Sequence, residues 1–426
     1  VVFALMVGAG GRVFTQVTVP GIDRPVQVVS GHITGDVTWT NDRYWVLRGA
    51  VFVQEGATLN IQAGTTVVGE AGSVGTLIVV RGGRLNAIGT AEQPIVFTSD
   101  QAPGQRARGD WGGIILNGRA PVNLDGGEGE GEADTGIYGG TDPDDNSGSL
   151  SYVRVEFAGT EFSPDNELNG IAFQAVGRGG TYDHIQVHMN KDDGLEWFGG
   201  TADVKYALVT NAGDDSFDWT FGWQGRAQFI AVSQRGDDAD AGIEADNNEF
   251  NNELLPRAAP TIYNATFCGD PDTNEGAESV RGWLLRRGTA GELRNFIIMG
   301  FKNVGLEVNG SSSLREATQG ALRLSNGVIH RTGANGRTYA PASTLALIQN
   351  GTFPNVRLGA DPGIGDCFNH EAPDFKPTSL STIAGGQMAP ATPPNDGFFE
   401  VTTFIGAFSP DPALDWTAGW TRFPQN

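Results

Sequence analysis

Helical periodicity is almost missing from this sequence. No long run carries apolar residues at i, i+3, i+4 and i+7, which argues against helical architectures. Lysine is scarce, with only Lys191, Lys205, Lys302 and Lys376, and 28 basic residues face 50 acidic ones for a net charge of −22. A surface this negative repels phosphate backbones and anionic lipid, which speaks against nucleic-acid and membrane-surface partners. It suits a protein that holds divalent cations or stays soluble outside a cell. No stretch reaches the ~18 apolar residues needed to span a bilayer. Cysteine occurs twice. Cys268 and Cys367 are too isolated for a zinc site, and read as a long-range disulfide in an oxidising compartment, or else as two buried thiols. The five histidines stand singly, without zinc or haem spacing. Gly177-Arg178-Gly179-Gly180 lacks the spacing and following helix of a phosphate-binding loop.

What is present is glycine, 62 residues without a Gly-X-Y period, and 39% apolar residues interleaved throughout, so collagen is excluded and a core is expected. Short β-type segments such as Val51-Phe52-Val53, Leu59-Asn60-Ile61, Leu77-Ile78-Val79 and Ile95-Val96-Phe97 alternate with Gly, Asn and Asp turns. An internal repeat decides between sandwich, propeller and solenoid. Three segments align on Asp192-Asp193, Asp214-Asp215 and Asp237-Asp238, in steps of 22 and 23 residues. Upstream, at equal offsets, lie Ile185, Ala207 and Ile230, then Val187, Val209 and Val232. They alternate with His184, Tyr206 and Phe229, and with Gln186, Leu208 and Ala231. Stacked at the inter-strand spacing of roughly 4.8 Å, the valines form one interior ladder. The expected fold is all-β, a right-handed parallel β-helix.

The organisation follows. Residues 1–30 form an apolar arm and lead-in, and residues 31–426 a single β-helix domain. Acidic, Gly-rich residues 123–149 and Pro/Gly/Asp-rich residues 361–397 read as loop excursions, the second tied back by Cys367. Strand character is expected to resume at Phe398-Phe399-Glu400-Val401, with Trp416 and Trp420 capping an exposed coil end. The opening run holds Val1, Val2, Phe3, Leu5 and Val7 with no polar side chain. It is long enough for a strand or the tail of a signal peptide, and a strand is favoured. On its glycine hinge such a strand suits covering an open end or edge, its own or a neighbour's, the latter giving head-to-tail assembly.

Several stretches carry a family resemblance. These are Gly56-Ala57-Thr58-Leu59-Asn60-Ile61, the run from Leu85-Asn86-Ala87-Ile88-Gly89-Thr90 to Ile95-Val96-Phe97-Thr98-Ser99, and Trp111-Gly112-Gly113-Ile114-Ile115. Asp192 to Gly200 and Phe404-Ile405-Gly406-Ala407-Phe408 complete the set. Over residues 40–424 the chain resembles a family of secreted bacterial right-handed parallel β-helix surface proteins with the pectate-lyase-like fold, mostly without an assigned activity. The resemblance implies a place outside the cell or on its outer surface. For function it implies little, since the fold carries lyases, hydrolases, adhesins and passive scaffolds.

Stacking places Asp192, Asp193, Asp214, Asp215, Asp237 and Asp238 on an acidic ladder, where unpaired like charges on neighbouring strands destabilise a sheet. Calcium would offset them, protonation would make acid–base pairs of them, and as turn residues they would bond backbone amides. Glu196 with Asp218, and Trp197 with Trp219, share offsets and form a candidate glycan-binding set for an extracellular polysaccharide. Two loops repeat Asp-Pro-Asp-x-Asn-x-Gly, with candidate calcium ligands at Asp142, Asp144 and Asn146 and at Asp270, Asp272 and Asn274. Neither has the Gly of an EF-hand at its sixth position, so compact calcium loops or Asx turns are the readings. Polygalacturonase-like chemistry lacks its Gly-His-Gly and Arg-Ile-Lys strings. A lyase would need a basic residue beside calcium. Arg226, Arg235, Arg281, Arg286 and Arg287 are available, though pairing with carboxylates is their more ordinary role. A structural or adhesive surface protein is favoured over a glycan-binding module, and that over a polysaccharide lyase or hydrolase.

Overall fold

Short β-segments separated by tight turns can bury one face only by stacking on their neighbours. The computed structural model, which describes residues 6–8, 12–17, 23–163, 166–272, 274, 276–379 and 388–426, has them stacked in this way. From Val26–Ile33 to Val356–Leu358 the main sheet pairs only in parallel, coil upon coil, as a right-handed parallel β-helix. Val187, Val209 and Val232 are cross-strand partners, as are Ile185, Ala207 and Ile230, and all six are buried. On the opposite wall the line Val53–Val79–Leu116–Phe173–Trp197–Trp219–Ala245–Leu285–Val308 runs through the interior.

The outer corner of each coil has its own ladder. Tyr152, His184, Tyr206, Phe229, Asn264, Asn295 and Asn326 occupy it, each with φ between 48° and 60°. Asparagine tolerates this left-handed conformation, whereas aromatic residues adopt it at a cost. Stacking offsets that cost: ring centroids lie 4.2, 4.5 and 4.9 Å apart from Tyr152 through Phe229. The C-terminal residues hang from this face. Asn264 Nδ2 donates to Phe404 O and Gly406 O, Asn295 Nδ2 to Ala391 O, and Asn326 Nδ2 to Ala389 O. Gln228 and Gln186 act like the edge of a strand, each bonding both N and O of a strap residue, Glu400 and Arg422 respectively. Phe398–Val401 is therefore an irregular strap rather than the expected strand. Trp416 and Trp420 pack on the side of the helix, over Tyr206 and Tyr152, and not on its end.

Cys268 and Cys367 are bonded, tying the hairpin Ile364–Asp366/Asp374–Pro377 to the wall. Two short helices, Gly310–Gln319 and Ala342–Gln349, flank the last coils. At ten and eight residues they are too short for helical periodicity to stand out. Val1, Val2, Phe3 and Leu5 lie outside the described residues. Val7 lies in Met6–Gly8, which pairs antiparallel with Arg12–Val17 of the same chain, and that strand pairs antiparallel with Val26–Ile33.

One buried titratable group couples the strap to pH. His188 bonds Thr210 Oγ1 through Nδ1 at 2.7 Å and the Pro424 carbonyl through Nε2 at 2.8 Å, and burial pushes its pKa down to about 4. The unfolded chain takes up this proton near pH 6.5 and the folded one resists it, so acidification favours unfolding. Between pH 7 and pH 5 this group should cost about 2 kcal/mol of stability. Urea melts of the parent and of His188→Gln at both pH values should differ by that amount; parallel pH dependences would contradict it.

Candidate metal centre

The centre sits on the outer face of the wall built by Leu195–Phe198, Phe217–Thr220 and Ala241–Ala245. Because strand side chains alternate, each apolar–acid–apolar triplet sends its acid outward. Along one outward line the residues run Phe52–Ile78–Ile115–Ala172–Glu196–Asp218–Glu244–Leu284–Glu307, changing from apolar to acidic at Glu196. The turns that precede these strands add Asp192, Asp193, Asp214, Asp215 and Asp240. Gly194 permits the tight corner, because a Cβ there would stand 2.4 Å from Val209 Cγ1.

Asp193 Oδ1 accepts the Asp215 amide at 2.9 Å, and Asp215 Oδ1 accepts the Ala241 amide at 2.6 Å. Each aspartate is thus a turn residue through one oxygen. Carboxylate oxygens nonetheless converge in three overlapping groups, each within 4.8 Å: Asp192/Asp193/Asp214, Asp193/Glu196/Asp218 and Asp214/Asp215/Asp240. Asp193, Asp215 and Glu196 are only 7, 3 and 8% exposed. Burial first, then neighbouring carboxylates, raises Asp192, Asp193, Glu196, Asp215 and Asp218 well above the usual carboxylate range, and Asp214 to about 6. Among the described residues the neighbouring cations are engaged elsewhere or at the margins: Lys191 on Asp238, Arg281 on Asp240, and Arg286 on Glu244 and Asp246. Among the described residues no ion pair reaches Asp192, Asp193, Glu196, Asp214, Asp215 or Asp218.

Asp237 and Asp238 are not on this ladder. The inner strands step 23 residues, Ala207 to Ile230, but the outer wall steps 26, Asp218 to Glu244. The three extra residues enlarge the turn holding Asp237 and Asp238, which pair instead with Arg108 and Lys191, and Asp240 takes the rung below Asp214. Trp197 and Trp219 are fully buried inside the helix, so they present no ring to a glycan; only Glu196 and Asp218 of that set face outward. In the two Asp-Pro-Asp loops four of the six candidate ligands serve backbone amides. Asp142 caps Asp144, Asn146 caps Gly148, Asp270 caps Asp272 and Asp272 caps Asn274. Arg226, Arg281, Arg286 and Arg287 pair with carboxylates, as does Arg235 with Asp237.

Asp240, Glu244 and Asn169, whose Nδ2 donates to Glu196 Oε2 at 2.5 Å, were not foreseen. For Glu244 the triplets Leu195-Glu196-Trp197, Phe217-Asp218-Trp219 and Ile243-Glu244-Ala245 carried the signal, and Asp240 stands as far before Glu244 as Asp214 before Asp218. The family described as a pectate-lyase-like beta helix domain matches residues 31–352. No curated protein and no solved structure matches the chain.

Proposed function

Starting from the fact that this chain belongs to the pectate-lyase-like β-helix family, we propose that it is an extracellular or cell-surface structural β-helix that binds calcium on the carboxylate ladder and depends on it for stability. The observation that carries this is the set of three overlapping groups of oxygens within 4.8 Å. The donors are all carboxylates, without His or Cys, which is the ligand chemistry of a hard cation such as calcium. A net charge of −22 and the Cys268–Cys367 bond support a place outside the cell. No helix among the described residues is long and apolar enough to cross a membrane. A scaffold is favoured over a lyase because the arginines bordering the ladder are held by carboxylates, Arg281 by Asp240, Arg286 by Glu244 and Asp246, and Arg287 by Asp246, rather than free to take a proton.

Calorimetric titration of the metal-stripped protein tests the reading. Saturable uptake of about two calcium ions is expected, since the three oxygen groups share members and a calcium takes six to eight oxygens. The double variant Asp193→Asn/Asp215→Asn retains the amide-accepting oxygens and should lose most of that uptake. Absence of saturable binding, or equal binding by the double variant, refutes the assignment.

A further inference from the structure

Above the ladder lies the acidic excursion. Its strands Glu128–Glu130 and Ile137–Gly139 pair antiparallel, with Glu132, Ala133 and Asp134 at the tip. The excursion is seated on the outer wall. Asn117 Nδ2 donates to Thr135 O at 2.9 Å, and the buried Tyr138 ring lies 6.1 Å from that of Phe198. Gly131 is so close that a Cβ would stand 2.5 Å from Gln174 Oε1. The tip also touches Asn166–Glu167, half of a second small hairpin. Gln174 and Phe198 are rung partners, and Phe198 shares its outward face with Glu196, so the tip stands beside the first acidic rung.

This seating brings acid onto acid. Glu132 is pushed up to about 7 by burial and then by Glu167, and Glu196 is raised by burial and then by Glu132. No ion pair to Glu132 exists among the described residues. Independent of the carboxylates, the junction holds buried acceptors without donors. The Asn169 carboxamide that holds Glu196 leaves its Oδ1 unpaired at 1% residue exposure, and Gln174 Oε1, Asn117 Oδ1 and Thr135 Oγ1 are likewise unpaired. Buried oxygens without a donor are expensive, and they gather here on both sides of one seam.

We propose that Glu132 and Glu167 close a divalent-cation site with Asp192, Glu196 and the Asn169 carboxamide, so that bound calcium latches the acidic excursion onto the ladder. The carboxylates supply charge and the carboxamide a neutral oxygen, a mixture calcium accepts. The latch holds Val122 and Tyr138 over the apolar part of the outer wall, Ile78, Ile115, Ala172 and Phe198. Without the cation, repulsion between tip and ladder opposes this apolar contact.

The inference rests on the calcium reading of the ladder, and its test separates the two. Amide hydrogen exchange of the full chain is followed by mass spectrometry at constant pH, in calcium and in chelator, well below the melting temperature. Calcium at about tenfold over its Kd should slow exchange of residues 124–139 about tenfold, with peptides of the inner strands unchanged as control. Glu132→Gln should exchange in calcium as the parent does in chelator, while its calorimetric calcium uptake on the ladder persists. Calcium uptake by the parent without protection of residues 124–139 overturns the latch and leaves the ladder standing. Protection in Glu132→Gln equal to the parent's also overturns it. No calcium uptake at all removes both.

Discussion

Chelating divalent cations should lower the melting temperature by on the order of 5–10 °C. Two sites filled at about 100 times their Kd contribute ~5 kcal/mol, and a chain of this length shifts by roughly 1–2 °C per kcal/mol. The ladder variants sharpen the expectation because their effect changes sign. In calcium, Asp193→Asn/Asp215→Asn should melt lower than the parent, having lost ligands. In chelator the same variant should melt higher, because two charges have left a buried group of like charges. The metal-free parent should also gain stability as pH falls from 7 towards 5, because the five strongly raised ladder carboxylates together outweigh the loss at the single His188. Its ladder carboxylates bind protons above the unfolded value near 4, Asp214 at about 6, so the folded state takes up more protons across that window. Below pH 4 the gain ends. Calorimetric scans in calcium and in chelator, for parent and variant, check all of this. Identical scans of the parent under the two conditions would remove the calcium assignment, and a variant that melts with the parent in both would mean that the aspartates act only as turn residues.

The interior of the helix was legible because it obeys two periods at once. Alternation sends Ile185 and Val187 inward, and a step of 22 or 23 residues brings Ala207, Val209, Ile230 and Val232 under them. The acidic centre was legible where both walls of a coil keep the same step, which holds from Asp192-Asp193 to Asp214-Asp215. It failed one coil later. The Asp237-Asp238 pair recurs at the step of the inner strand, yet three residues inserted in the turn displace it from the outer wall. A dipeptide of turn residues is weak evidence of register, since loops absorb insertions. A triplet committed to a strand is strong evidence, since a slip of one residue would turn its acid inward. Glu132 and Glu167 were beyond reach for another reason. They arrive from segments outside the repeat, and no periodicity relates them to Glu196, whereas Asn169 stands on the rung next to Asp193 and escaped notice because it breaks the run of aspartates. The ladder of His184, Tyr206 and Phe229 lies between, since its even offsets were visible but its left-handed backbone, and its extension to Tyr152 across a longer step, were not.

Trp197→Ala should be among the most damaging single substitutions, costing about 3–5 kcal/mol. The parity that sends Glu196 outward puts Trp197 in the core, where it is fully buried. Its ring centroid lies 4.9 Å from Phe173, 4.5 Å from Phe217 and 4.6 Å from Trp223. Truncation removes the middle of this aromatic stack, and rigid coils above and below cannot collapse into the space. Position matters as much as volume. Each coil of a solenoid contacts only its neighbours, so a defect at mid-stack weakens the coupling between the coils before and after it. Denaturant melts of Trp197→Ala should therefore broaden or split into two transitions as well as shift. Trp197→Phe should lose far less, under about 1.5 kcal/mol, because the indole Nε1 has no hydrogen-bond partner and its removal leaves nothing unpaired. Trp416 is a useful contrast: only part-buried on the strap, it should cost less than Trp197 when truncated and leave the melt of the coils unsplit. A tryptophan placed for glycan stacking would show the reverse, an unchanged melt with lost binding. Should Trp197→Ala unfold within about 1 kcal/mol of the parent in a single sharp transition, the inward register of Leu195–Phe198, and with it the outward ladder of Glu196 and Asp218, would be wrong.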